Sequence, residues 1–186
     1  NQSIQQAMKR FIEQYMTHVN PYTGLAYKDD PAIAAVLITN ENDITQHYGN
    51  ALMPDKKVPA HTKLYQEQAD AFAKHNDLPA DRTWRAWEHG PAKLFLNDLE
   101  RRFDVDMIAH LHSLGVKVPI ATTSTWGGNG LSALPALTAG DVIDAHSYGA
   151  IGQLEKNPLS SDARAGTRWT AAAETPSVLN ARAVVQ

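Results

Sequence analysis

Ala32-Ile33-Ala34-Ala35-Val36-Leu37-Ile38-Thr39, followed at once by Asn40-Glu41-Asn42-Asp43, is the stretch on which the fold turns. The residues up to Thr39 are apolar almost throughout instead of alternating, the pattern of a parallel strand covered on both faces. Four polar residues then end the run abruptly, so the chain is expected to leave a core at a defined rim. Two further runs behave in the same way. Val116 to Thr125 is a second strand, ending at Trp126-Gly127-Gly128-Asn129-Gly130, and Val142-Ile143-Asp144-Ala145 is a third, closing with His146-Ser147-Tyr148-Gly149.

Helical patterns fill the intervals. Ile4, Met8, Phe11, Ile12 and Tyr15 recur at helical spacing ahead of the first strand. Between this helix and the strand, Asn20-Pro21-Tyr22-Thr23-Gly24 and Asp29-Asp30-Pro31 mark turns. Helices are predicted at His61 to Lys74 and Pro91 to Ser113, the second stopped by Leu114-Gly115, and a short one at Leu131 to Ala139. Residues 43 to 60 read as loop, and the segment Asn76 to Gly90 is long for a connection in a compact domain. Beyond Gly149 only Ala171 to Val185 suggests another helix, interrupted by Pro176. The order helix, strand, helix, strand, helix, strand implies right-handed βαβ units, a parallel sheet and an α/β fold.

Composition narrows the function classes. The chain has 186 residues, 43% apolar and 20% charged, enough for one domain with one substantial core. A net charge of −3 and the absence of Lys or Arg runs argue against nucleic acid as a partner. No apolar stretch approaches the roughly 18 to 20 residues that span a bilayer, so no membrane partner is expected. With no cysteine there is neither a disulfide framework nor a thiolate metal site, and the compartment, secreted or cytoplasmic, is left open. The opening Asn1 to Ala7 has no initiator Met and no signal-peptide series, so the chain is expected to begin inside a larger protein.

In parallel α/β folds the chemistry sits at the carboxyl ends of the strands. Those ends are Asn40-Glu41, Ser124-Thr125-Trp126 and His146-Ser147-Tyr148. Three features together resemble the cellulase-like clan of glycoside hydrolases: the Asn-Glu pair ending Ile38-Thr39-Asn40-Glu41, the His-x-Tyr ending Asp144-Ala145-His146-Ser147-Tyr148, and the lead-in from His18 through Gly24 to Asp30-Pro31. The likeness covers roughly the first 150 residues. It implies a single partial catalytic domain over 1–186, part of a (β/α)8 TIM barrel running from the third helix to the region before strand seven, with the three strands standing as strands four, five and six.

The resemblance also implies roles. Glu41 would be the acid/base of a retaining glycosidase, protonating the glycosidic oxygen and then activating water. Asn40 would hydrogen-bond the sugar 2-hydroxyl, Trp126 would stack on a pyranose, Tyr148 would orient the nucleophile and His146 would contact sugar or Glu41. The substrate is expected to be a β-linked poly- or oligosaccharide, with mannan and glucan backbones leading. Each residue has a plainer reading: a polar pair can simply start a loop, His146 and Tyr148 can be surface polar residues, and Trp126 beside three glycines can be a core lid. Trp84 and Trp87, at i and i+3, fit one packed helix face better than a binding rim. His110 and His112, two apart on a helix, cannot jointly hold a metal, and Asp144 with His146 lacks a third ligand, so neither metal nor cofactor is expected.

Retaining chemistry needs a second carboxylate about 5 to 5.5 Å from the first. Past Tyr148 only Glu155 and Glu174 are available, and neither ends an apolar run. Three strands of eight would leave two open edges, so another chain or segment completing the barrel is the expected partner beside the carbohydrate. Alone, the chain is expected not to turn over substrate. A non-catalytic carbohydrate-binding or scaffold module derived from such a barrel is the competing reading.

Overall fold

The computed structural model describes residues 1–42, 44–45, 58–83, 90–126, 130–146 and 183–185, with 83, 125–126, 130–132, 145–146 and 183–185 described by their backbone. Helix α1, Gln2–Met16, opens on Asn1, whose side chain accepts from the Ser3 N–H at 3.0 Å and so satisfies one of the donors that a helix start leaves unpaired. The chain then reverses. The Asn20 carbonyl accepts from the Gly24 N–H at 2.8 Å, and Gly24 sits at φ 71°, a conformation that glycine adopts without a Cβ penalty.

The first strand is shorter than its apolar run. The Asp30 side chain accepts from Ala32 N–H at 2.9 Å and the Asp30 carbonyl from Ile33 N–H at 3.0 Å, so the turn consumes the start of the run. Strand β1 covers Val36–Thr39. Helices α2, Pro59–His75, α3, Ala80–Thr83, and α4, Pro91–Ser113, follow before strand β2, Ile120–Trp126. Helix α4 begins with a proline in its first turn, where the missing N–H costs nothing, and ends ahead of Gly115 at φ 90°. Helix α5, Gly130–Leu137, connects β2 to strand β3, Val142–His146.

These elements form an α/β structure with a small parallel sheet. Val36, Leu37 and Thr39 lie level with Ile120, Ala121 and Thr123, and Trp126 lies level with His146. A short fourth segment, β4, Ala183–Val185, pairs parallel with β3 and gives the order β1-β2-β3-β4. This corrects two expectations. The stretch expected to be helical up to Val185 ends in a strand, and the sheet extends past three strands; the rest of Ala171 to Val185 lies outside the described residues.

Three apolar clusters hold the layers. Met16, Leu111, Val116 and Ile120 pack with Ile12, Val36, Ile38 and Ile108, fastening α1 and α4 to one face of β1 and β2. Ala133, Leu137 and Ile143 seat α5 on β3, and Tyr65, Ala69, Phe95 and Leu96 join α2 to α4. Tyr65 and Phe95 meet edge to face at 5.2 Å, a favoured aromatic geometry. Coverage of β1 on both faces is not met. Leu37, which alternates away from Val36 and Ile38, is 39% exposed, because the described helices cover one face and β1 is an edge strand of this sheet. No described helix is long and apolar enough to cross a membrane.

Candidate active site

Because the strands run parallel, their carboxyl ends share one edge of the sheet. Asn40 and Glu41 follow Thr39, which is level with Thr123, while Trp126 and His146 end β2 and β3 side by side. The backbone thus brings four of the five sequence-predicted positions to one rim. Tyr148 lies outside the described residues, as do Trp84, Trp87, Glu155 and Glu174.

The link between β1 and β2 at this rim runs through side chains. The Glu41 N–H donates to Ser124 Oγ at 2.7 Å, and the Asn42 N–H donates to Thr123 Oγ1 at 3.0 Å. Ser124 Oγ donates in turn to Asn40 Oδ1 at 3.3 Å. Ser124 and Thr123 are both buried, whereas Asn40 is exposed and Glu41 half-buried. In a regular strand two consecutive side chains point to opposite faces, so they would not both reach one neighbouring loop. Here they do, beside an irregularity. Ala121 and Ser124, three residues apart, pair with Val142 and Asp144, only two apart, so β2 carries an extra residue. Such bulges re-aim side chains at the edges of sites.

Glu41 has φ 46°, the left-handed region, which costs a residue with a Cβ about 1–2 kcal/mol. The captured N–H groups of Glu41 and Asn42 hold the turn in place. The sequence named Ser124 within a strand end without giving it a role. Its signal was there: Thr122-Thr123-Ser124-Thr125 is a run of four hydroxyl residues in a strand, of which the first three are buried.

Two other features lie apart from this rim. A cavity of about 860 Å³ runs between α1 and β1, lined by Ile4, Phe11, Tyr15, Val36 and Leu37 among others, and neither Asn40, Glu41 nor Ser124 lines it. On α4, burial pushes the Asp104 carboxyl from 3.8 up to about 7, against the opposing pull of the Arg101 guanidinium. Asp104 Oδ2 is buried with no hydrogen-bond partner among the described residues. No group of three His, Asp or Glu among the described residues is arranged to hold a metal ion. His110, on the last turns of α4, meets the Lys9 carbonyl at 2.9 Å instead. Comparison with known protein families, with curated proteins and with solved structures returns no match to this chain.

Proposed function

We propose that this chain is part of a retaining glycoside hydrolase of the cellulase-like (β/α)8-barrel clan, cleaving β-linked poly- or oligosaccharides by double displacement. The observation that carries the reading is Glu41 itself: a half-buried carboxylate following the carboxyl end of a parallel strand, at positive φ, with its N–H bound across to β2. Strained residues held at strand ends by their surroundings are characteristic of sites. A parallel sheet with helices packed against β1, β2 and β3 is the α/β arrangement that part of such a barrel would have.

In this mechanism Glu41 gives its proton to the departing glycosidic oxygen, and then, as carboxylate, takes one from the water that releases the sugar. Asn40 donates to the 2-hydroxyl, Trp126 supplies a stacking face, Tyr148 orients the nucleophile and His146 contacts the sugar or Glu41. Double displacement also needs a second carboxylate as nucleophile, which enzymes of that clan carry at the end of strand seven. The second reading, a carbohydrate-binding module, is favoured by one point: Ala183, Val184 and Val185 of β4 include no carboxylate.

Glu41→Gln in the full-length protein tests the first reading. Hydrolysis of substrates with poor leaving groups is expected to fall about 10²–10⁴-fold, the usual worth of a positioned general acid, while dinitrophenyl glycosides, which need no acid to depart, lose far less in the first step. Equal rates for the two proteins on a poor leaving group sink the assignment. Saturable oligosaccharide binding without hydrolysis by the unaltered protein selects the binding module.

A further inference from the structure

We infer that Ser124 is a positioning residue of this site, resting on the reading of Asn40 and Glu41 given above: its hydroxyl decides which edge of the Asn40 amide meets the sugar. A serine hydroxyl has one proton and two lone pairs. One lone pair receives the Glu41 N–H at 2.7 Å, and the proton goes to Asn40 Oδ1 at 3.3 Å. Ser124 is fully buried, so water does not reach that proton. If the Asn40 amide flipped, its two N–H donors would face the hydroxyl, and the buried proton would lose the acceptor it has here, at a cost typical of an unmade buried hydrogen bond.

Ser124 therefore holds Asn40 with its oxygen toward β2 and its Nδ2, a pair of donors, turned away from β2. An amide fixed in that sense donates to a ligand oxygen and cannot accept from it. The same hydroxyl holds the Glu41 N–H, so the acid/base and the 2-hydroxyl donor are registered to each other through one atom of β2. The extra residue in β2 between Ala121 and Ser124 gives the sequence a reason to break the ladder at this point, since it brings Thr123 and Ser124 to the same loop.

The test compares a glycoside with its 2-deoxy analogue in the full-length protein. The ratio of the two kcat values is independent of how much of a variant is folded. Ser124→Ala is expected to lower kcat on the 2-hydroxy substrate roughly 10- to 100-fold with KM within about threefold, and to shrink the 2-hydroxyl advantage by at least tenfold, because the contact that is lost strengthens in the transition state. Ser124→Thr and Ser124→Val, alike in shape, carry the second measurement: the threonine keeps the 2-hydroxyl advantage and the valine loses it. Equal proportional losses on both substrates in Ser124→Ala, or equal ratios for the Thr and Val variants, overturn the role of Ser124. Glu41→Gln assayed alongside separates the two ideas. A strong loss there with an intact 2-hydroxyl advantage in Ser124→Ala rejects the positioning role alone, whereas full activity in Glu41→Gln rejects the glycosidase reading on which it rests.

Discussion

The two ends of the sheet use the same device to different effect. At the amino end, Asp141 reaches from the start of β3 to β2, its N–H donating to the Ile120 carbonyl at 2.8 Å and its carboxylate accepting from the Ile120 N–H at 3.0 Å. Val36 N–H donates to the Pro119 carbonyl at 3.0 Å, and Gly140 packs so tightly that an added Cβ would stand 2.6 Å from the Ile120 oxygen. The residues beneath are apolar: Val116, Ile120, Leu111 and Met16. At the carboxyl end Ser124 and Thr123 bind the neighbouring backbone in the same cross-strand manner, but the residue they hold has positive φ and its neighbour Asn40 is exposed. One end ties relaxed backbone to a core. The other ties strained backbone to a polar rim. Cross-strand side-chain bonds therefore do not by themselves mark a site; what distinguishes one is the strain they hold and the polar groups left at the surface.

Asp104 lies in the later half of α4 and is buried. Its folded pKa of about 7 lies above the unfolded value of 3.8, so the folded state binds the extra proton. The stability that goes with the neutral form is fully present below 3.8 and is lost as pH rises through about 7. Asp104→Asn, a permanently neutral mimic, is therefore expected to stabilise little near pH 4, increasingly toward neutral pH, and by on the order of 4 kcal/mol at pH 8; thermal unfolding across pH reads it, and a pH-independent effect would contradict it. Gly140→Ala should cost about 2 kcal/mol, lowering the thermal midpoint by roughly 4–8 °C in a chain of this size, because the obstacle is backbone and cannot swing aside. Asp141→Ala removes the acceptor of the Ile120 N–H and is expected to cost about 1–2 kcal/mol in denaturant unfolding. An unchanged midpoint in both variants would erase the distinction between the two ends.

The smallest effect has the opposite sign. Glu41→Gly removes the Cβ from a left-handed residue, and the relief, less the greater freedom of glycine when unfolded, should raise stability by about 0.5–1 kcal/mol. The same change removes the proposed acid/base, so stability and hydrolysis should move apart. A destabilised Glu41→Gly would show that the rim is no more strained than the amino end.

Much of this organisation is written locally. The Pro91 start and Gly115 stop bound α4 because proline at a first turn and glycine after a last one act within a few residues. The three long-range strands were legible as apolar runs, and their polar ends marked the rim. What escaped depends on partners distant in sequence. The start of the 32–39 run was drawn into the Asp30 turn, a local hydrogen bond that outweighs apolar patterning. Val184 and Val185 are β-branched yet follow an alanine-rich stretch, and only pairing with Ile143 and Asp144 makes them a strand. Ser124 meets the Asn40-Glu41 turn beside an irregular register with β3 that no reading of β2 alone contains.

Whether Glu41 serves as acid/base is tested most directly by Glu41→Ala in the full-length protein, supplied with a dinitrophenyl β-glycoside and sodium azide. Loss of the base slows attack of water on the glycosyl-enzyme, and azide, which needs no base, attacks the same anomeric carbon and displaces the enzyme carboxylate. The account predicts a rate that rises with azide concentration and a β-glycosyl azide of retained configuration as the product. Free sugar released at the unaltered protein's rate, with no azide adduct, would contradict it.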